Sequence, residues 1–137
     1  INIRDRKGRT ALSLAAGDSK AFVASHVVQL LLDTFPNIDI NLPDNASRSP
    51  LTRAAIGADI RTVEVFLSRY SESALQHLNM PDSEGRTIVS HAAAAKSVCS
   101  VYVLRLLLAK LPQIALDTPD NNGRTPLRWA LERNHEV

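Results

Sequence analysis

The residues able to do covalent or metal chemistry are few and far apart. There is one cysteine, Cys99, and there are four histidines: His26, His77, His91 and His135. The pattern around them predicts His91 on a short helix and Cys99 in the connection after it, with no third group placed to orient either. A nucleophilic thiol needs a neighbouring, oriented base to hold it as thiolate. A lone Cys among aliphatic residues reads instead as a small core residue, and the adjacent Ser90 and His91 would point apart on a helix. No His-x-x-x-His or Cys-x-x-Cys spacing offers ligands to a tetrahedral metal. No Gly-x-Gly-x-x-Gly or Walker-type loop offers backbone N–H groups to a phosphate. The expectation is a non-enzyme with no catalytic residue, no metal and no cofactor.

Two other residue types recur with order. Asp5, Asp44, Asp82 and Asp120 are separated by 39, 38 and 38 residues, and each is followed four positions later by Arg: Arg9, Arg48, Arg86 and Arg124. Between them a Gly stands three residues after Asp in the first, third and fourth segments, with Ser47 in the second. Asp followed by Gly at this distance is a turn, the Gly supplying φ > 0 and the carboxylate accepting backbone N–H groups. The four Arg residues would form a ladder along one edge. Two readings of it stand side by side: guanidinium groups paired with the turn Asp, or an acidic or phosphorylated partner read by spaced Arg.

The elements that position this ladder follow from the same repeat. After each turn comes Thr or Ser at an N-cap position, with Pro50 and Pro126 at the first helical residue. Alanines follow (Ala15-Ala16, Ala54-Ala55, Ala92-Ala93, Ala130), giving a short, thin helix. A second helix is predicted from the apolar runs 27–32, 63–67 and 103–108, with Leu30, Leu31, Val65, Phe66, Leu106 and Leu107 as its core residues. An extended arm then returns to the next Asp, its prolines suiting a hairpin arm rather than a central strand. The repeats run approximately 5–43, 44–81, 82–119 and, in part, 120–137. One unit cannot bury its apolar face alone, so the units must stack into a single domain.

The Asp-x-x-Gly-Arg-Thr-x-Leu cores and the Leu-Leu-Leu runs at 30–32 and 106–108 resemble the ankyrin repeat family over essentially the whole chain. The resemblance implies an all-α solenoid of stacked helix pairs joined by β-hairpin-like loops. The family period is about 33 residues, so each unit carries five or six extra. Family spacing puts them between the helices in units 1 and 3 (within 17–26 and 94–102) and after the second helix in unit 2 (within 68–78). From this alternation the helices of units 1 and 3 are expected to be one turn longer than standard and to project at one rim. The family's His after Thr-Pro-Leu is replaced by Ser13, Thr52, Ser90 and Arg128, so its hydrogen bonds must be made otherwise or lost. Ser47 in place of Gly is expected to cost a few tenths to about 1 kcal/mol if φ > 0 is required there.

The resemblance also implies the function: a protein–protein interaction module, or scaffold, that binds through loop tips and the exposed side of the first helices. Carried over, the protein-binding residues are Arg6, Lys7, Arg9, Asn45, Arg48, Ser83, Glu84, Arg86, Asn121, Asn122 and Arg124. The tips run from basic at Arg6-Lys7 through Asn45-Ala46 and acidic Ser83-Glu84 to Asn121-Asn122, which fits a partner acidic at one end and polar at the other. A second class of reading is an accessory or regulatory region of a larger enzyme or signalling NTPase whose catalytic domain lies outside the chain. Sixteen Lys and Arg against 14 Asp and Glu give a net charge of +2, too small and dispersed for a nucleic-acid binder, and 4% aromatic content argues against a base-stacking platform. A partner protein is expected; nucleic acid, membrane and small-molecule substrate are not. A single Cys fits an intracellular, cytoplasmic or nuclear setting. Both ends read as cut through a longer array, leaving Leu127 and Trp129 facing a missing neighbour and inviting end-to-end self-association.

Overall fold

A hydroxyl three residues ahead of a free backbone N–H starts each short helix. The computed structural model describes residues 1–18, 23–71 and 76–134. In it Thr10 caps α1 (Ala11–Gly17), Ser49 caps α3 (Pro50–Ile56) and Thr87 caps α5 (Ile88–Ala94), each side chain accepting from the N–H of the third helical residue. Thr125 takes the N–H of Arg128 in α7 (Pro126–Asn134) in the same way. The longer helices are α2 (Ala24–Thr34), α4 (Ile60–Arg69, capped by Asp59) and α6 (Ser100–Lys110). A 3-10 turn, Gln76–Asn79, precedes the third Asp-led segment. The described residues are helical and irregular, with no strand among them, and none of their helices is long and apolar enough to cross a membrane.

The helices lie in two layers. The short ones pack in chain order, α1 on α3, α3 on α5, α5 on α7; behind them α2 packs on α4 and α4 on α6, while α1, α3 and α5 also pack on the long helix that follows each. Small alanines let the short helices approach. Ala16, Ala54, Ala55 and Ala92 are fully buried beside Leu12, Leu51 and Ile88, against Val28, Val63, Phe66, Val103 and Leu107 from the second layer. Burial of such side chains contributes roughly 1.5–3 kcal/mol each for the larger ones, and α5 takes this furthest, with every residue from Ile88 to Ala93 buried. The first-helix surface is therefore interrupted at the third unit, where only Ala94 comes partly to the surface.

Two expectations are corrected here. The first helices of units 1 to 3 are 7 residues each and the second helices 11, 10 and 11, so none projects by a turn. The extra residues enter the connections: 95–99 in unit 3, and in unit 2 the segment after α4 that includes the 3-10 turn. Residues 19–22 and 72–75 of the other inserts, together with His135 and the rest of 135–137, lie outside the described residues. The second correction concerns Leu30, which is not core but 65% exposed. Its counterpart Leu106 is partly buried; the long-helix neighbour of α6 belongs to the preceding unit, whereas that of α2 belongs to the following one.

Candidate functional site

The four Asp-led segments fold identically and stand in file. In each, the turn Gly or Ser N–H donates to the Asp carbonyl at 2.9 Å, and the Asp N–H donates to the Arg carbonyl four residues on, also at 2.9 Å. The Asp Oδ1 accepts two more backbone N–H groups, at two and four residues on: Lys7 and Arg9 for Asp5, Ala46 and Arg48 for Asp44, Glu84 and Arg86 for Asp82, Asn122 and Arg124 for Asp120, all at 2.8–3.0 Å. This is the turn-stabilising role read from the sequence. Neighbouring loops are then joined by backbone: Asn45 N–H to the Lys7 carbonyl, Ser83 to Ala46 and Asn121 to Glu84, each 3.0 Å. The side-chain amides of Asn45 and Asn121 add bonds to the carbonyls of Arg6 and Ser83.

The second carboxylate oxygen points inward, and what it meets was invisible in the repeat. Nine residues after Asp, on the short helix, stands a donor in three of the four units. Arg53 Nη1 donates to Asp44 at 3.3 Å, His91 Nε2–H to Asp82 at 2.8 Å and Trp129 Nε1–H to Asp120 at 3.1 Å. Leu14 holds that place in the first unit, and there Asp5 takes the guanidinium of its own Arg9 instead, at 2.6 and 2.8 Å. The expectation that no third group orients His91 is thus corrected, since a carboxylate fixes its ring. Cys99 sits half-buried at the start of α6, its own N–H donating to the Ser97 hydroxyl.

Burial by itself would raise the Asp82 carboxyl. The N–H groups of Arg86 and Glu84 and the His91 ring outweigh it and hold the group below its ordinary value. Asp120 is likewise lowered against the pull of burial, by the N–H groups of Arg124 and Asn122 and by the Trp129 indole. Asp5 is lowered to about 2, the Arg9 side chain and N–H being the main causes. His91 moves down from 6.5, because burial disfavours its cation more than Asp82 favours it, with Arg48 and Arg86 opposing the charge as well. The pair is a neutral imidazole donating to a carboxylate.

The Arg ladder is occupied from within. Arg48 crosses to the next unit, with Nε 3.2 Å from Asp82 and Nη2 3.2 Å from Glu84. Arg86 pairs with the other oxygen of Glu84 at 3.2 Å and leans on Asp120 at 3.9 Å. Arg124 lies 3.5 Å from Asp120 and 3.6 Å from Glu132. Trp129, expected to face an absent neighbour, is instead clamped: the guanidinium carbons of Arg86 and Arg124 lie 4.2 and 3.9 Å from its ring centroid. Leu127 is 68% exposed. In the first three units the third helical residue adds a hydroxyl contact at the cap: Ser13 returns a bond to the Thr10 N–H, and Thr52 and Ser90 meet the Ser49 and Thr87 hydroxyls at 3.0 and 3.3 Å.

Of the candidate residues, then, Arg48, Glu84, Arg86 and Arg124 are brought together as an ion-pair network, Arg9 pairs apart from it with its own Asp5, and Asn45 and Asn121 are ties between loops. Arg6, Lys7, Ser83 and Asn122 stand exposed at the tips. Among the described residues no group of three His, Cys, Asp or Glu is placed to hold a metal ion. No family model matches the sequence, and no curated relative matches it either.

Proposed function

We propose that this chain is an ankyrin-type array of stacked helix pairs that binds a protein partner through its loop tips and first-helix face, without catalysis of its own. The observation that carries the reading is the run of three backbone bonds, from Asn45, Ser83 and Asn121 to the loop before, between turns of one geometry. A row of loops held by main chain is rigid whatever side chains stand at the tips. Those side chains are then free to vary for recognition, the arrangement from which many modest contacts sum to useful affinity. The polar chemistry beneath the tips supports the same reading: the Asp carboxylates are taken up by backbone N–H groups and by Arg53, His91 and Trp129, which stabilises a scaffold.

The test is photo-crosslinking from single positions in the intact chain. A photoreactive side chain at Lys7, Ile56, Ser83 or Asn122 should capture the same protein, identified by mass spectrometry, while one at Arg61 or Glu64 on the exposed face of α4 should not. Capture from α4 alone would refute the assignment of the binding face.

A further inference from the structure

The charge of the loop row is uneven once its internal pairs are removed. In loops 2 to 4 the cations are spent inside: Arg53 on Asp44, Arg48 on Asp82 and Glu84, Arg86 on Glu84 and Asp120, Arg124 on Asp120 and Glu132. Loop 1 carries Arg4, Arg6, Lys7 and Arg9 around the single carboxylate of Asp5, which Arg9 takes. Arg4 lies along the loop, donating to the carbonyls of Gly8 and Pro43 at 3.0 and 2.8 Å, contacts that hold the guanidinium without cancelling its charge. Arg6 and Lys7 are exposed, and among the described residues no ion pair holds them. Three positive charges are thereby concentrated at one end of an otherwise balanced row.

Arg9 joins this patch to a groove of about 590 Å³ whose walls include Leu14, Val23, Val27 and Arg53. The three apolar residues are 41%, 57% and 40% exposed, an aliphatic surface rimmed by the internally paired Arg9 and Arg53 and by Asp18. This apolar floor lies next to a loop whose Arg6 and Lys7 are held by no carboxylate among the described residues, a combination complementary to one kind of ligand. We infer that loop 1 and the groove between α1 and α2 dock an extended acidic segment of a partner protein, its carboxylates over Arg6 and Lys7 and its following apolar side chains in the groove. This rests on the binding function proposed above and names the chemistry that function selects. A nucleic-acid duplex fits less well, because its phosphates continue along its length and would be carried over Glu84 and the carboxylates beside it. An anionic lipid surface would meet the cations and leave the groove empty.

The experiment is fluorescence anisotropy on the full chain. The probe is a fluorescein-labelled synthetic peptide whose first half is glutamate and aspartate and whose second half alternates leucine and serine. Binding should weaken as salt rises and fall by about tenfold or more in the double variant Arg6→Glu/Lys7→Glu, since each reversal replaces an attraction by a repulsion. Val27→Ser should weaken it without altering its salt dependence. Both variants change exposed side chains, and an unchanged circular dichroism melt shows that each folds. Equal binding by the charge-reversed variant, equal binding of a peptide with glutamine for every acid, or binding of duplex DNA or phosphatidylserine vesicles in place of the peptide would each overturn the inference. If the peptide fails while crosslinking from the tips still captures a protein, the inference alone is lost; if both fail, the binding function falls too.

Discussion

Two glycines with the same backbone and different surroundings isolate what the loop-to-loop contact is worth. Gly85 has φ +78° and Gly123 has φ +75°, so alanine at either meets the same left-handed strain, roughly 1–2 kcal/mol. Each also restricts the unfolded chain, returning about 0.4–1 kcal/mol. At Gly123 nothing lies within 4 Å of the added carbon, whereas at Gly85 it would sit 2.5 Å from Asn121 Oδ1 and 2.8 Å from Asn121 N. Asn121 must then give up its N–H bond to Glu84 and its amide bond to Ser83, each about 0.5–1.5 kcal/mol. Gly123→Ala should destabilise by about 0.5–1 kcal/mol and Gly85→Ala by about 2–4 kcal/mol. With a urea slope of about 2 kcal/mol/M, the denaturation midpoint followed by circular dichroism should drop by about 0.3–0.5 M in the first and about 1–2 M in the second. Equal losses would mean that the bonds between loops contribute nothing, and the argument for a rigid row would go with them.

Ser47 holds φ +60° without a glycine, so Ser47→Gly should raise stability by a few tenths to about 1 kcal/mol; a lower urea midpoint would contradict this. Because burial holds His91 below 6.5, the unfolded chain takes up that proton first. Stability should therefore decline as pH falls below about 6.5, and a His91→Gln variant, measured by urea titration across that range, should lack this limb. The lowered Asp82 and Asp120 add a second loss at more acid pH, as pH falls through their folded-state values below 3.8. Trp129→Phe keeps a ring between Arg86 and Arg124 but removes the donor to Asp120, at about 1.5–3 kcal/mol for a bond to a charged group. Trp129→Ala should cost more, by the lost cation–π contacts, and equal midpoints for the two would show that the stacking is idle.

How far the sequence could be read is decided by period. The turns, the caps and the first helices recur at one offset, the second helices follow as apolar runs, and Asp, Thr and the alanines each have one local physical task, so they were legible. Leu30 was misread because its run matches that of Leu106 while its neighbours do not: burial belongs to the pair of surfaces, not to the residue. The supposed longer helices failed for a related reason, since spacing counts residues and says nothing about whether an insertion continues a helix or leaves it. The donors at Arg53, His91 and Trp129 escaped because three unlike side chains perform one task. Only the chemistry they share, an N–H directed at a carboxylate nine residues earlier, marks them as equivalent. That signal was present in the sequence, but it had to be sought by function of the group and not by identity of the residue.

Between the loops the ion pairs run in one direction, whereas in the second layer Arg69 reaches back to Asp33. Arg48 reaches forward to Asp82 and Arg86 forward to Asp120, so each carboxylate anchors the loop behind it as well as its own. Neutralising Asp82 would leave Arg48 of the previous unit with Glu84 as its remaining anion and would take the partner from His91, while Arg86 kept both of its own. Damage in this ladder therefore travels upstream from loop 4 to loop 2 and stops there, because Arg9 pairs with its own Asp5 and leaves Asp44 to Arg53.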